Sequence, residues 1–463
     1  MNKKQITRSP IDDSVYAERE LASKTDIELA IEKSHPAHKA WRQTSLKQRA
    51  EICHLMLDAF ASREDEIAHQ LCWMMGRPIR YAKGEVTGTV ERGRYMIDAA
   101  KEALAPIELD EKPGFLRYIK REPLGLVFVI APWNYPYLTA INTLIPAIMA
   151  GNSVILKHSA QTPLCGEQLA RAFQQASLPD GVFQYLHLSH ADTEYMIAQQ
   201  DIHHVAFTGS VAGGKMVERA SSGRFLSIGL ELGGKDPAYV RADADIAYAV
   251  STCVDGAFFN SGQSCCAIER IYVHSAVFDD FVSRFVAQVK KYKLGRPDDP
   301  DTTLGPVINA SAADFIRQQV AEAVSAGAKA HINYADFPCN RPGTAYLAPQ
   351  VLTCVNHNMS VMKDESFGPV IGIMKVDSDQ QALELMNDSE LGLTAAVFTQ
   401  DIDAGIALGE QLETGTFFIN RCDYLDPALA WTGVKNSGRG CTLSKLGYES
   451  LTRPKSFHLK TRI

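Results

Sequence analysis

The feature that most constrains this chain is an alternation of strand-length apolar runs with helical segments, repeated in two blocks along 463 residues. From 26 to 102 the pattern is purely helical, with apolar residues such as Leu55, Ala59, Ile67 and Leu71 recurring at three- and four-residue intervals. The register then changes. A continuous apolar strand at 124–130 precedes a helix at 136–150, a strand at 153–156 and a helix at 163–176. Strands at 182–186, 202–207 and 226–231 extend the series. A second alternation follows Glu231, with a helix at 244–259, a strand at 268–274 and a helix at 276–290. Later strands fall at 370–376, 395–399 and 416–420. Strands that alternate with helices feed a parallel, doubly wound sheet, so the chain is predicted to be α/β with two such domains and a cleft between them. Between 105 and 121 the alternation breaks at Lys112-Pro113-Gly114, a turn between short extended runs, and 454–463 is again extended.

Charge and cysteine usage narrow the function. Lys and Arg total 47 against 54 Asp and Glu, a net charge of −7 with no basic cluster that locally reverses it. That disfavours nucleic acid as a partner. The basic start of the chain is followed by no apolar stretch, so no signal peptide is expected. The longest apolar runs are strand-length, so no membrane span is expected. The ten cysteines lack metal-ligand or disulfide-framework spacing. Reduced thiols, a cytoplasmic location and no metal site follow as expectations.

Three short strings carry chemistry. Phe258-Phe259-Asn260-Ser261-Gly262-Gln263-Ser264-Cys265-Cys266-Ala267 places a cysteine pair on a polar, Gly-containing turn after an apolar helix. A cysteine there can meet a substrate, whereas one inside the helix could only pack. Glu231-Leu232-Gly233-Gly234-Lys235 puts a carboxylate on a tight turn, and Pro132-Trp133-Asn134-Tyr135-Pro136 puts a side-chain amide between prolines. Thiol, carboxylate and amide donor together make a covalent-catalysis site. A fourth string, Gly209-Ser210-Val211-Ala212-Gly213, lies between a strand and a helix, where amides suit a phosphate. It lacks the usual dinucleotide fingerprint.

These motifs, with Phe207-Thr208-Gly209-Ser210, Glu365-Ser366-Phe367-Gly368-Pro369-Val370 and the 433–440 stretch, resemble the aldehyde dehydrogenase superfamily in content and order. The resemblance runs from about Trp41 to the C-terminus. It implies a Rossmann-like cofactor domain at 1–104 and 122–231, a catalytic domain at 232–440, and a small β oligomerisation arm from 105–121 and 441–463. It assigns Cys265 as nucleophile, Glu231 as general base and Asn134 as oxyanion donor, with Cys266 a structural neighbour. It places NAD or NADP against Trp133, Lys157, Gly209, Ser210, Gly213, Leu232, Glu365 and Phe367. Three positions after Lys157, where NAD-preferring members often carry a glutamate, stands Ala160, which leaves room for NADP. A homodimer or homotetramer is implied.

The resemblance predicts oxidation of an aldehyde to a carboxylic acid through a cysteine thiohemiacetal and thioester. A CoA-acylating relative is the nearest alternative, although its thioester needs no water-activating carboxylate such as Glu231. A non-catalytic protein on the same fold is a further one. Tyr424, Leu425 and Trp431 are the expected walls of a substrate pocket for an apolar aliphatic or aromatic aldehyde. Arg421, or a basic residue elsewhere, would instead favour a semialdehyde such as succinate semialdehyde.

Overall fold

The apolar run expected at 124–130 becomes Leu126–Ala131, a fully buried strand in the middle of a six-stranded sheet. The computed structural model describes residues 3–462; Met1, Asn2 and Ile463, the outermost positions of the expected boundaries, lie outside them. Across this sheet the order is Gly438–Arg439, Ser227–Glu231, Ile202–Thr208, Leu126–Ala131, Ser153–His158 and Phe183–Tyr185. All neighbours are parallel except the first pair. The chain runs outward from Leu126–Ala131 in one direction, then crosses back to Ile202–Thr208. Loops leaving the C-terminal ends of these two strands therefore open at a topological switch point, the customary ligand crevice of such sheets. Trp133 and Asn134 lie on one loop, Gly209 and Ser210 on the other.

The second sheet has seven strands in the order Lys329–Ala330, Gln350–Thr353, Val370–Val376, Ile268–His274, Asp236–Val240, Thr394–Phe398 and Thr416–Ile419. Only its first pair is antiparallel. The central strands Leu126–Ala131, Asp236–Val240 and Thr394–Phe398 are buried at every position, as parallel strands covered on both faces require. Each fully buried Val, Ile or Phe contributes about 1.5–3 kcal/mol. The four helices Lys24–Trp41, Leu46–Ala61, Glu64–Met75 and Ile79–Ala103 account for the helical stretch at the start.

A ribbon of three antiparallel strands joins Thr452–Lys460 to Phe115–Pro123 and then to Ile107–Glu108. It carries exposed Leu116, Leu459 and Ile107, and stacks Tyr118 on Phe457 at 4.6 Å. Its long strand extends two residues past the boundary expected at 121. Gly438–Arg439, expected within 232–440, instead hydrogen-bonds the edge of the six-stranded sheet beside Glu231. The φ of +118° at Gly438 lets the chain lie directly against the Leu230 carbonyl, where any side chain would collide. A hairpin of Lys4–Arg8 and Val15–Glu20 precedes the helices. Among the described residues no helix is long and apolar enough to cross a membrane.

Candidate active site

Cys265 lies in the loop that enters the strand Ile268–His274, so it faces the loops leaving the first sheet. The helix Ile246–Phe258 delivers the chain to a left-handed turn, with φ of 51° at Asn260, 58° at Ser261 and 72° at Gly262. Asparagine and glycine tolerate that region; serine there is strained. Gly262 presses against the Gly368 carbonyl, a contact no side chain would permit. Cys265 is partly exposed and lines a cavity of about 290 Å³ together with Arg92, Leu138, Tyr424 and Leu425. Cys266 is buried. Its thiol donates to Asp423 Oδ1 at 3.0 Å, and the adjacent Cys265 thiol, burial and the Asp423 carboxylate push it well above the usual thiol range. Both cysteines border the cavity, but Cys266 is buried with its thiol engaged at Asp423, and Cys265 is the partly exposed member of the pair.

Asn134 reaches this loop. Its Nδ2 donates to the Gln263 carbonyl at 3.3 Å, which leaves the second N–H of the amide for another acceptor. A buried network fixes it there. Arg77 donates to the Asn134 carbonyl at 2.7 Å and to Asn260 Oδ1 at 3.2 Å, and lies over the Tyr135 ring at 4.6 Å. Arg77 also pairs with buried Glu85. The other Glu85 oxygen accepts the amides of Tyr137 at 3.0 Å and Leu138 at 3.1 Å, at the start of the helix Pro136–Ala150. A carboxylate at that end satisfies orphan amides and suits the helix dipole.

Glu231 is not in the cavity that holds Cys265. Its carboxylate accepts the hydroxyls of Thr442 and, at 3.1 Å, Thr208, and it lines a separate small pocket with Thr143 and His204. Burial raises its carboxyl above the ordinary range, against the pull of those two hydroxyls. Arg92 is near enough to interact with both Glu231 and Cys265. The structure therefore joins Asn134 to the Cys265 loop directly, and holds Glu231 in a retracted position.

The expected cofactor residues gather along the switch point. Trp133 meets Phe367 edge-on at 5.6 Å between ring centres, and Phe367 is held at φ 52°. Buried Glu269 shapes that loop by pairing with Lys235 at 2.6 Å and accepting the amides of Ser366 and Phe367, each at 2.8 Å. Glu365 accepts the Gly234 amide at 3.0 Å. Ser210 caps the helix Val211–Ala220 by accepting the Gly213 amide, and Gly209 donates to the Glu231 carbonyl at 3.0 Å. Added side chains at Gly209 and Gly213 would strike the Phe207 ring. Leu232 is buried against Gly214, so it shapes the wall through packing. Lys157 has no acceptor among the described residues, and burial pulls its ammonium down to about 8. A buried cation without a partner, a capped helix N-terminus and an acidic side chain on a glycine turn fit a dinucleotide phosphate and its sugars.

Of the expected pocket walls, Tyr424 and Leu425 line the cavity. Trp431 does not. It is 4% exposed, packs in the core beside the helices, and bridges by its backbone to Thr442. Arg421 lies outside the lining and stacks on Tyr424 at 3.7 Å. Arg92, which no motif marks, lines the cavity, and so does Asp423 of the 421–426 loop, where an inward carboxylate is expected to disfavour a carboxylate-bearing semialdehyde. The available signal for Arg92 is its four-residue spacing from Gly88 on the inner face of the helix Ile79–Ala103.

The model of the aldehyde dehydrogenase family matches residues 2–457. A Mycobacterium bovis protein named succinate-semialdehyde dehydrogenase [NADP(+)] 1 is 33% identical over 428 residues, 92% of this chain and 93% of its own length. A solved aldehyde dehydrogenase from Brucella melitensis biovar abortus 2308 superposes with a TM-score of 0.95 at 28% identity, covering 100% of this chain and 95% of that one. An NADP-dependent glyceraldehyde-3-phosphate dehydrogenase from Bacillus halodurans C-125, solved with NADP, gives 0.93 at 30% identity, with coverage of 99% and 96%.

Proposed function

We propose, given that this chain belongs to the aldehyde dehydrogenase family, that it oxidises an aldehyde to a carboxylic acid with Cys265 as nucleophile and NADP or NAD as oxidant. The observation that carries this reading is the Asn134 amide bonded to the Cys265 loop at Gln263, with one N–H left for another acceptor. The Cys265 thiolate adds to the aldehyde carbon. The Asn134 amide donates to the alkoxide that forms, an interaction worth about 10²–10³ in rate for donors of this kind. When bound, the dinucleotide accepts the hydride, for which Lys157, Ser210, Glu365 and the Trp133–Phe367 pair form the cradle. The thioester left on Cys265 is cleaved by water. Glu231 takes the proton from that water after leaving Thr442 and Thr208, and its raised carboxyl makes it a stronger base than a surface glutamate.

Leu138, Phe259, Tyr424 and Leu425 suit an apolar substrate tail. A second reading, a semialdehyde, is favoured by the buried arginine in the same cavity, and the mycobacterial relative carries that substrate in its name. The exposed apolar residues of the three-stranded ribbon support a homodimer or homotetramer, which light scattering at micromolar concentration checks.

The test is a cofactor-reduction assay across aldehydes of varied length and charge, with both dinucleotides. Cys265→Ser should abolish turnover while dinucleotide binding persists, and Cys266→Ser should keep most activity. The reverse pattern would overturn the assignment. Acyl-CoA in place of free acid as product would overturn the hydrolytic step.

A further inference from the structure

We propose that Arg92 anchors a carboxylate on the substrate, so that the site takes a short aldehyde bearing a carboxylate at its far end; this rests on the reading of Cys265 as nucleophile. Arg92 is 8% exposed. Its Nη1 donates to the Leu138 carbonyl at 2.9 Å and to Asn142 Oδ1 at 3.0 Å, which uses both hydrogens of that nitrogen. Nε and Nη2 have no acceptor among the described residues, and neither is sealed away from solvent. The guanidinium is therefore clamped by one nitrogen and presents the other edge free. That Nε–Nη2 edge is the fork that takes a carboxylate through two parallel hydrogen bonds.

Position supports the same conclusion. Arg92 is the one cationic side chain lining the cavity that holds Cys265, and it makes no ion pair among the described residues. Glu85 and Glu231 act on this charge only without direct pairing, and an arriving carboxylate would pair with it through hydrogen bonds. Three acids also line the cavity, and they set where that carboxylate can rest. Glu91 and Asp255 are exposed. Asp423 spends one oxygen, Oδ1, on Ser264 and Cys266. A substrate carboxylate is repelled by the two exposed acids and attracted to Arg92. Arg92 is near enough to Cys265 to act on it, so the chain between the aldehyde and its carboxylate is short.

The experiment compares kcat/KM for succinate semialdehyde and butanal, which share a four-carbon chain and differ in the carboxylate, in the unmodified enzyme, Arg92→Gln and Arg92→Lys. The ratio of the two should favour the semialdehyde in the unmodified enzyme and fall about 10- to 100-fold in Arg92→Gln, chiefly through KM, as loss of a charged hydrogen-bond pair implies. Arg92→Lys keeps the charge without the fork and should fall between. A parallel loss on both aldehydes would mark Arg92 as a purely structural tie and overturn the proposal, as would an unchanged ratio. A measurement on the unmodified enzyme guards against a variant that does not fold: succinate should inhibit butanal oxidation competitively and butanamide much less. Equal inhibition by the two overturns the proposal. Failure of the nucleophile assignment shows separately, as turnover surviving in Cys265→Ser.

Discussion

The Asp423 carboxylate accepts the Cys266 thiol at 3.0 Å through the same oxygen, Oδ1, that accepts the Ser264 hydroxyl at 2.8 Å. One oxygen thus holds the residues on both sides of Cys265. Asp423 is itself kept at φ 44°, a left-handed conformation that an aspartate tolerates and that aims the carboxylate back at the loop. Removing the acceptor leaves the buried thiol and hydroxyl with only their contact to each other at 3.5 Å, at a cost of about 1–3 kcal/mol. Asp423→Ala should therefore lower the melting temperature by several degrees and slow acylation, read as the pre-steady-state burst rate. Asp423→Asn keeps an acceptor oxygen and should retain most of both. An Asp423→Ala enzyme with an unchanged burst would show that the nucleophile loop holds itself.

Retraction of Glu231 onto Thr442 and Thr208 separates the two half-reactions physically. On the proposed mechanism, formation of the thioester needs no base at Glu231, whereas hydrolysis needs its carboxylate brought to Cys265. Glu231→Gln should give a burst of reduced cofactor of up to one equivalent per site, followed by slow turnover. Thr442→Val removes the hydroxyl that holds the carboxylate back. It should leave the burst rate intact and alter only the steady-state phase. An unchanged steady-state rate in Glu231→Gln would eliminate Glu231 as the deacylation base.

Long apolar periodicity makes much of the fold legible. The helix at 136–150 and the strands at 268–274 and 370–376 begin and end where the sequence places them. The strand Asp236–Val240, central in the second sheet, is not legible in the same way. It opens on Asp-Pro directly after a glycine turn, and its carboxylate is buried only because Thr394 donates to it at 2.6 Å. The Lys4–Arg8 hairpin escapes notice because its pattern is polar and its partner strand is equally so. Cys265, Asn134 and Glu231 stand out because each sits in a short Gly- or Pro-marked string. Arg92 does not, since an arginine on an amphipathic helix reads as a solvated residue. Only the fold brings it to Asn142, 50 residues along the chain. Trp431 illustrates the converse: an aromatic near a pocket loop whose strand bridge to Thr442 turns it into the core.

Burial, with the nearby Glu269 carboxylate, lifts the Glu365 carboxyl from 4.5 to about 7. The folded chain therefore keeps a proton that the unfolded chain gives up between about 4.5 and about 7. Stability contributed by this group falls as pH rises through that window and levels off above it. Glu365→Gln cannot ionise and still offers an oxygen to the Gly234 amide. Relative to the unmodified protein, the variant should gain on the order of 1–3 kcal/mol of unfolding free energy between pH 5 and pH 8. Thermal or urea unfolding at both pH values measures the gap. A gap that stays constant, or that closes as pH rises, would mean that Glu365 titrates as an ordinary surface carboxyl.

Lys157 is the penultimate residue of the strand Ser153–His158 and has no acceptor among the described residues; three residues on, Ala160 stands exposed, its carbonyl taken by the Thr7 hydroxyl at 2.8 Å and by Gln5 at 3.3 Å. The N-terminal hairpin thereby fixes the backbone that an adenosine ribose would face, and no acidic side chain stands at position 160. A 2′-phosphate placed there would meet the Lys157 ammonium, which has no acceptor among the described residues, and no carboxylate at position 160. NADP should be used at a rate within roughly tenfold of NAD, or faster, since tenfold corresponds to only about 1.4 kcal/mol. Ala160→Glu installs a carboxylate where the phosphate would lie. Like-charge juxtaposition costs several kcal/mol, so the ratio of kcat/KM for NADP over NAD should drop by at least about tenfold. Thr7→Val releases one of the two clamps on the Ala160 carbonyl and should weaken both dinucleotides together, because it loosens the backbone without adding charge. Strict NAD dependence in the unmodified protein would contradict the argument from Ala160. An Ala160→Glu ratio that does not move would place the 2′-phosphate away from this turn.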